Sequence, residues 1–335
     1  MTFSLADIST FEAPTTVLVT GGTSGIGKVA VREFARHGAR VYVTVRNAAK
    51  GTALLEEIAA LQASTQAKAD VKAEDVAAKA VVTYDVRLLE CDFMDLKSLV
   101  KVAKEFGKME PKLDILLNNA GTLYAPYTES DDGFESTLQV NYIGLFLLTR
   151  LLLPMLEKAE HPRVINVSSL AHKFATKFMF ADPNMKDGME VTNMGNRYAQ
   201  SKLAVVLFTK EFAKRYPQIL TVVVHPGVIA DTGLYDNLGK STVLGGLVRW
   251  FGIPTMKILD KVIGISTETG ALTSIYCAVD KSLTPETDNG SYFIPVAKKA
   301  SCSATGSDRK LAEELWSWTD KILVEKGYLS ATEAQ

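Results

Sequence analysis

Tyr198 and Lys202 stand four residues apart, so a helix carries them on one face. A free phenol has a pKa near 10 and keeps its proton at neutral pH. An ammonium at ~4 Å offers the phenolate up to ~4 kcal/mol at an effective dielectric of ~20. At ~1.4 kcal/mol per unit, the phenol falls by up to ~3 units, to where it exchanges a proton with an alkoxide. Such a pair alone is common on helical surfaces. Ser169 gives it meaning, because it follows an apolar run at residues 164–167, the end at which a parallel sheet presents its ligands. Its hydroxyl can hold a carbonyl or alcohol oxygen while Tyr198 gives or takes the proton. Where hydride also moves at the carbon of such an oxygen, a cofactor must supply or accept it.

A seat for that cofactor lies near the start of the chain. Gly21, Gly22, Thr23, Ser24, Gly25, Ile26 and Gly27 separate a strand at 16–20 from a helix at 26–37. Glycines allow the tight turn and close approach to a pyrophosphate, and the helix start supplies free N–H groups and partial positive charge. The spacing differs from G-x-G-x-x-G, so position in the chain is what favours a dinucleotide site. The strand at 40–45 ends in Val45, where an NAD site carries an acid, and Arg46 follows. A guanidinium pairs with a 2′-phosphate, so Arg46 points to NADP(H).

The elements that must position these groups are legible as an alternation. Strands are expected at 16–20, 40–45, 87–90, 113–117, 164–167, 221–224 and 291–294. Helices are expected at 26–37, 48–61, 96–106, 135–156, 198–215, 267–279 and 309–325. The strands are continuous apolar runs, as in a parallel sheet covered on both faces. The pattern predicts an α/β fold, a Rossmann-like doubly wound parallel sheet of about seven strands flanked by helices.

With 335 residues the chain exceeds the usual single-domain limit of ~250. Four segments interrupt the alternation and together account for that excess: a tail at 1–13, insertions near 64–81 and 174–193, and a substrate lid at 228–265. We therefore read one domain over 14–330. Hydrophobic residues make up 47% and charged ones 22%, which excludes a disordered or fibrous chain. Lys and Arg total 37 against 38 for Asp and Glu, a net charge of −1 that argues against nucleic acid as a partner. Three scattered cysteines (Cys91, Cys277, Cys302) fit a reducing compartment, and four dispersed histidines (His37, His161, His172, His225) form no metal site. The start lacks a signal peptide, the run at 142–156 is broken by Arg150 and Pro154, and the end carries no retention signal. The expected location is cytoplasmic.

These motifs resemble, in order, the short-chain dehydrogenase/reductase family over about residues 15–295. Besides the glycine turn from Thr20, the matching residues are Cys91-Asp92, Asn118-Asn119-Ala120-Gly121, Asn141, Ser168-Ser169, Tyr198 with Lys202, and Pro226-Gly227. The resemblance implies that Asp92 contacts the adenine and that Asn119, Ala120 and Gly121 line the cofactor. It implies that Ser169, not Ser168, is catalytic, and that Asn141 holds a water connecting Lys202 to solvent. Lys202 also holds the nicotinamide ribose beside Tyr198, and Pro226-Gly227 turns the chain toward the nicotinamide. A threonine a few residues on usually bonds the carboxamide. Here Asp231 takes the usual spacing and Thr232 comes one later, and Thr232 is the favoured contact. The helices at 135–156 and 198–215 imply a possible homodimer.

Within the family, Ser168-Ser169-Leu170-Ala171-His172, Arg197-Tyr198 with Ser201-Lys202-Leu203-Ala204, and Val224-His225-Pro226-Gly227 look most like the retinol-dehydrogenase-like branch of fungal and plant reductases. The amino-terminal membrane anchor of its microsomal members is not expected here. The lid is apolar (Leu234, Tyr235, Leu238, Val243, Leu244, Leu247, Trp250, Phe251, Met256), and Phe174, Phe178, Met179, Phe180 and Met185 are candidates to complete its wall. A bulky hydrophobic ketone, aldehyde or alcohol is therefore the expected substrate, and carbonyl reduction in secondary or lipid-like metabolism the expected role. Two alternatives are a non-redox dinucleotide-binding sensor or scaffold and a non-redox cyclase or isomerase. Arg249, Lys257 and Lys261 among the lid's apolar residues also allow weak peripheral membrane contact. His172 and His225 are read as structural or pocket-lining, Cys91 as packing, and Trp316 and Trp318 as core or interface.

Overall fold

The computed structural model describes residues 3–11, 15–72, 83–123, 125–187, 190–229 and 264–330. Eight strands form one sheet in the order β3-β2-β1-β4-β5-β6-β7-β8. They are β1 Thr16–Val19, β2 Arg40–Val45, β3 Asp85–Glu90, β4 Ile115–Asn118, β5 Arg163–Val167, β6 Leu220–Val224, β7 Tyr292–Ile294 and β8 Lys298–Ala300. β1 pairs with β2 on one side and β4 on the other, so the strand order reverses there, which is where an open α/β sheet leaves its ligand crevice. The first seven strands are parallel. β8 departs from the expected seven: Ala297 takes φ 56°, and the chain returns antiparallel along β7.

Two layers of helix cover the sheet. One holds α1 Gly25–Arg36, α2 Ala48–Lys72 and α6 Thr267–Val279. The other holds α3 Leu96–Met109, α4 Ser136–Leu156, α5 Glu190–Arg215 and α7 Arg309–Glu325. Each layer has its own apolar core against its face of the sheet, which is why the central strands are buried along their whole length. Among the described residues, α4 alone is long and apolar enough to cross a membrane, but 72% of its apolar window is buried inside the fold.

Several elements differ from the sequence expectation. α2 runs to Lys72 and absorbs the first part of the insertion near 64–81; residues 73–82 lie outside the described residues. α5 starts at Glu190, eight residues before Tyr198. The segment expected as a tail instead docks: Leu5–Asp7 form a 3-10 turn and Ile8 is buried. Phe3 packs edge-on to Tyr276 of α6 at 5.3 Å, and Phe11 to Phe34 of α1 at 6.3 Å. Burial of a side chain such as Ile8 contributes roughly 1.5–3 kcal/mol.

α7 of the same chain packs on α4 and α5, the two helices expected between subunits. Trp316 stacks on Phe208 at 5.8 Å and meets Phe146 edge-on at 4.9 Å. Arg150, which interrupts the apolar run of α4, is buried against Asp320 at 2.8 Å. Phe178 and Phe180, expected as candidates for the substrate wall, pack on Trp318 of α7, at 5.3 and 6.1 Å, and are not among the described residues lining the cleft.

Candidate active site

The carboxyl ends of β1, β4, β5 and β6 open into a cleft of about 320 Å³. Gly21, Thr23, Ser24, Gly25 and Ile26 line one side, Asn119, Ala120 and Gly121 the floor, and Ser169, Tyr198, Lys202, Pro226 and Gly227 the other side. Residues from five separate motifs thus meet in one place.

The glycine turn is held by the loop after β4. The Asn119 side-chain amide donates to the carbonyls of Thr20 (3.1 Å) and Gly21 (3.0 Å). Thr20 Oγ1 accepts from the N–H groups of Asn119 and Ala120, both at 2.9 Å. Thr44 Oγ1 accepts from the Gly21 N–H at 3.3 Å. Asn119 is therefore a brace of the turn. Gly27 has no room for a side chain: a Cβ would lie 2.4 Å from Asn119 Nδ2 and 2.5 Å from the Gly21 carbonyl. Gly21 sits at φ 65°, a conformation open to glycine. Ser24 stands at the N-cap of α1 without capping it through its side chain, which leaves the helix start facing the cleft.

Ser169 caps a 3-10 turn, Leu170–Phe174. Its Oγ accepts from the Ala171 N–H at 3.2 Å, so its own proton remains to be donated. Ser168 serves backbone, its Oγ donating to the Lys202 carbonyl at 2.8 Å. Lys202 is 5% exposed, and its Nζ donates to the Val167 carbonyl at 3.0 Å. Nζ lies 5.8 Å from the centre of the Tyr198 ring. Burial pulls the ammonium down to about 8, still charged at neutral pH.

Asn141 lies in a π-helical turn, Gln139–Ile143, inside α4, a distortion common at functional sites. Its Oδ1 accepts from the Thr122 N–H at 2.7 Å. Its Nδ2 donates to the Thr122 carbonyl at 3.0 Å and to Ser201 Oγ at 2.9 Å. The side chain thus holds the loop after Gly121. A Cβ on Gly121 would be 3.2 Å from Asn141 Oδ1 and 3.4 Å from Lys202 Nζ, so these two flank that glycine.

A second hollow, of about 400 Å³, lies at the ends of β2 and β3. Arg46 and Asp92 line it with Glu90, Asp95, Ser98, Lys97 and Lys101. Two of its carboxylates are engaged with backbone: Asp92 Oδ1 accepts from Met94 N–H at 2.9 Å, and Asp95 Oδ1 caps α3 by accepting from Lys97 N–H at 3.0 Å. Arg46 is exposed and makes no ion pair among the described residues. Cys91 is packing, its thiol pushed up to about 12 by burial. Thr232 and Asp231 lie outside the described residues, as does most of the lid. The described residues contain no group of three metal-ligating side chains.

Sequence reasoning named Thr20 only as the start of the glycine motif, and missed its bracing role, the braces Thr44 and Thr122, and the cations Lys97 and Lys101. The two lysines were findable, since they occupy the first turns of the helix that follows Asp92. The threonines act through contacts distant in sequence and left no local signal.

Doubly wound topology, a glycine turn at the first crossover, and a serine, tyrosine and lysine at one cleft define a dinucleotide-dependent oxidoreductase. The short chain dehydrogenase profile matches residues 15–88 and 74–181, and the chain belongs to that family. Its likeness is to the retinol-dehydrogenase branch. It is 38% identical to retinol dehydrogenase 12 of Bos taurus over 309 residues, covering 92% of this chain and 85% of that protein. It is 35% identical to the short-chain dehydrogenase/reductase drtF of Aspergillus calidoustus over 333 residues, covering 93% and 94%. Among solved structures, a protein from Mycobacterium paratuberculosis matches with a TM-score of 0.69 at 27% identity, covering 96% and 97%. The RhlG/NADP active-site complex of Pseudomonas aeruginosa shares the fold, with a TM-score of 0.58 at 23% identity over 86% and 96%.

Proposed function

We propose that the protein is an NADP(H)-dependent carbonyl reductase acting on hydrophobic aldehydes or ketones in a cytoplasmic setting. The observation that carries the cofactor choice is Arg46: an exposed guanidinium at the end of β2, with Lys97 and Lys101 on the same hollow and Val45 in place of an acid. The carboxylates of Asp92 and Asp95 in that hollow are turned to backbone N–H groups and Glu90 faces three cations, a balance that leaves Arg46 available to a 2′-phosphate. The open start of α1 suits the diphosphate, and the cleft beyond it suits the nicotinamide ribose at Lys202. The bound nicotinamide supplies or accepts hydride. Ser169 holds the substrate oxygen with a hydrogen bond from its hydroxyl, keeping its own proton. Tyr198 delivers the proton to that oxygen as it becomes an alcohol, and Lys202 favours the phenolate that remains.

Apolar exposure supports a hydrophobic substrate. Leu170 is 42% exposed and Phe174 78% on the turn that Ser169 caps, and Leu123 and Ile229 also line the cleft. The relatives named as retinol dehydrogenases add all-trans-retinal as a candidate probe.

The test is NADPH oxidation with hexanal, decanal, tetradecanal and all-trans-retinal, repeated with NADH. We expect kcat/KM to rise with chain length and to favour NADPH by at least tenfold. Arg46→Glu should reverse that preference. Equal rates with both cofactors, or no turnover of any probe, refutes the reading.

A further inference from the structure

Two buried imidazoles stand behind Ser169, and the mechanism above uses neither. Their backbone partners define where each proton sits, because an N–H donates only to a ring nitrogen that lacks one. His172 Nε2 accepts from the Ser303 N–H at 3.1 Å, so its proton is on Nδ1 and is donated to the Ser169 carbonyl at 2.7 Å. His225 has the opposite arrangement. Its Nδ1 accepts from the Leu170 N–H at 3.2 Å and the Gly227 N–H at 3.4 Å, which places the proton on Nε2.

These two donors belong to different walls of the cleft. Leu170 follows Ser169 at the end of β5, and Gly227 closes the turn after β6. The strands are in register at Val167 and Val224, so one imidazole nitrogen bridges the two corners just beyond that pair. We propose that His225 is a positioning residue, whose Nδ1 holds the Ser169–Leu170 corner against the Pro226-Gly227 turn. The spacing between the substrate-holding hydroxyl and the nicotinamide seat then depends on that nitrogen's staying unprotonated. This role rests on the reductase reading for its catalytic meaning, and on the hydrogen bonds alone for its structural one.

The surroundings keep the ring neutral. His172 and Lys173 face it from the 3-10 turn, Tyr198 and Lys202 share its cleft from α5, and Tyr292 of β7 sets its ring edge-on to His172 at 5.1 Å. No carboxylate is among the described residues lining the cleft. Burial first, with the His172 ring and the Lys173 ammonium nearby, holds His225 down to about 4.

The test begins with 15N-histidine NMR of the full chain, which reads proton position without a substrate. We expect His225 in the Nε2–H form and His172 in the Nδ1–H form, with His225 not titrating between pH 8 and 5.5. Titration of His225 near 6.5, or the opposite tautomer, overturns the proposal. Variants then separate the two nitrogens. His225→Asn places an acceptor near Nδ1, His225→Gln places its polar atoms near Nε2, and His225→Phe supplies neither. With decanal and NADPH, we expect His225→Asn to keep kcat within about threefold, while His225→Gln and His225→Phe lose roughly 10- to 100-fold with little change in NADPH affinity. Equal losses in the Asn and Phe variants, at matched thermal stability, overturn the proposal, as does full activity of His225→Phe. If the wild type reduces no probe, the reductase reading fails separately. The Leu170 and Gly227 amide resonances then decide the tie: kept in the Asn variant and displaced in the Phe variant if it stands, alike in both if it does not.

Discussion

At the scale of single residues, the site places few groups whose protonation matters, and most are buried. Tyr198→Phe removes the only proton that this arrangement passes to the substrate oxygen; we expect kcat to fall by at least ~10³-fold with NADPH affinity retained, by stopped-flow and fluorescence titration. Lys202 carries an opposite signature. Its folded value, about 8, lies below that of a free lysine, so between pH 8 and ~10.5 the unfolded chain binds more protons and this group's contribution to stability rises with pH. Its burial penalty is complete below pH 8. Cofactor-free Lys202→Met should therefore be more stable than wild type at pH 7, by up to about 3 kcal/mol, with the gap narrowing toward pH 10. Urea unfolding at both pH values checks this. His225 is also depressed, to about 4, so stability should drop as pH falls from 6.5 toward 4, and His225→Asn should flatten that limb.

Among elements, the glycine turn and the loop after β4 behave as one piece, joined by Thr20 and Asn119. Gly27→Ala drives a methyl into Asn119 and the Gly21 carbonyl, both backbone-anchored. We expect it to destabilise the fold by roughly 1–3 kcal/mol and to weaken NADPH binding more than tenfold, readable by thermal shift with and without NADPH. Much of this level was legible in the sequence. β1, the start of α1 and β5 carry short apolar runs and turn residues that act locally, and the family motifs anchored Ser169, Tyr198 and Lys202. What escaped depends on distant partners. The early start of α5, the bracing role of Asn141 and the turning of Phe178 toward Trp318 are decided by packing. Arg150 read as a flaw in an apolar run until its partner, 170 residues later, came into view.

For the whole molecule, the decisive feature is α7 on the outer face of α4 and α5. It covers part of the two helices expected to pair subunits, so we expect sedimentation of a single chain at micromolar concentration. Trp316 meets Phe146, Phe208 and Phe212 together. Trp316→Ala should cost about 3–5 kcal/mol and, by loosening α7, promote dimers detectable by light scattering.

The antiparallel β8 has a consequence of another kind. An open sheet ends in unpaired backbone groups that invite another chain to add a strand. Here both borders carry charge: Asp85, Arg87 and Glu90 on β3, and Lys298 and Lys299 on β8. Ending the sheet at β7 would leave Tyr292, Phe293 and Ile294 as the rim. By folding back, the chain covers that apolar strand with two exposed lysines, which should suppress edge-to-edge aggregation at high protein concentration. Replacing both lysines by isoleucine should lower solubility long before it affects turnover.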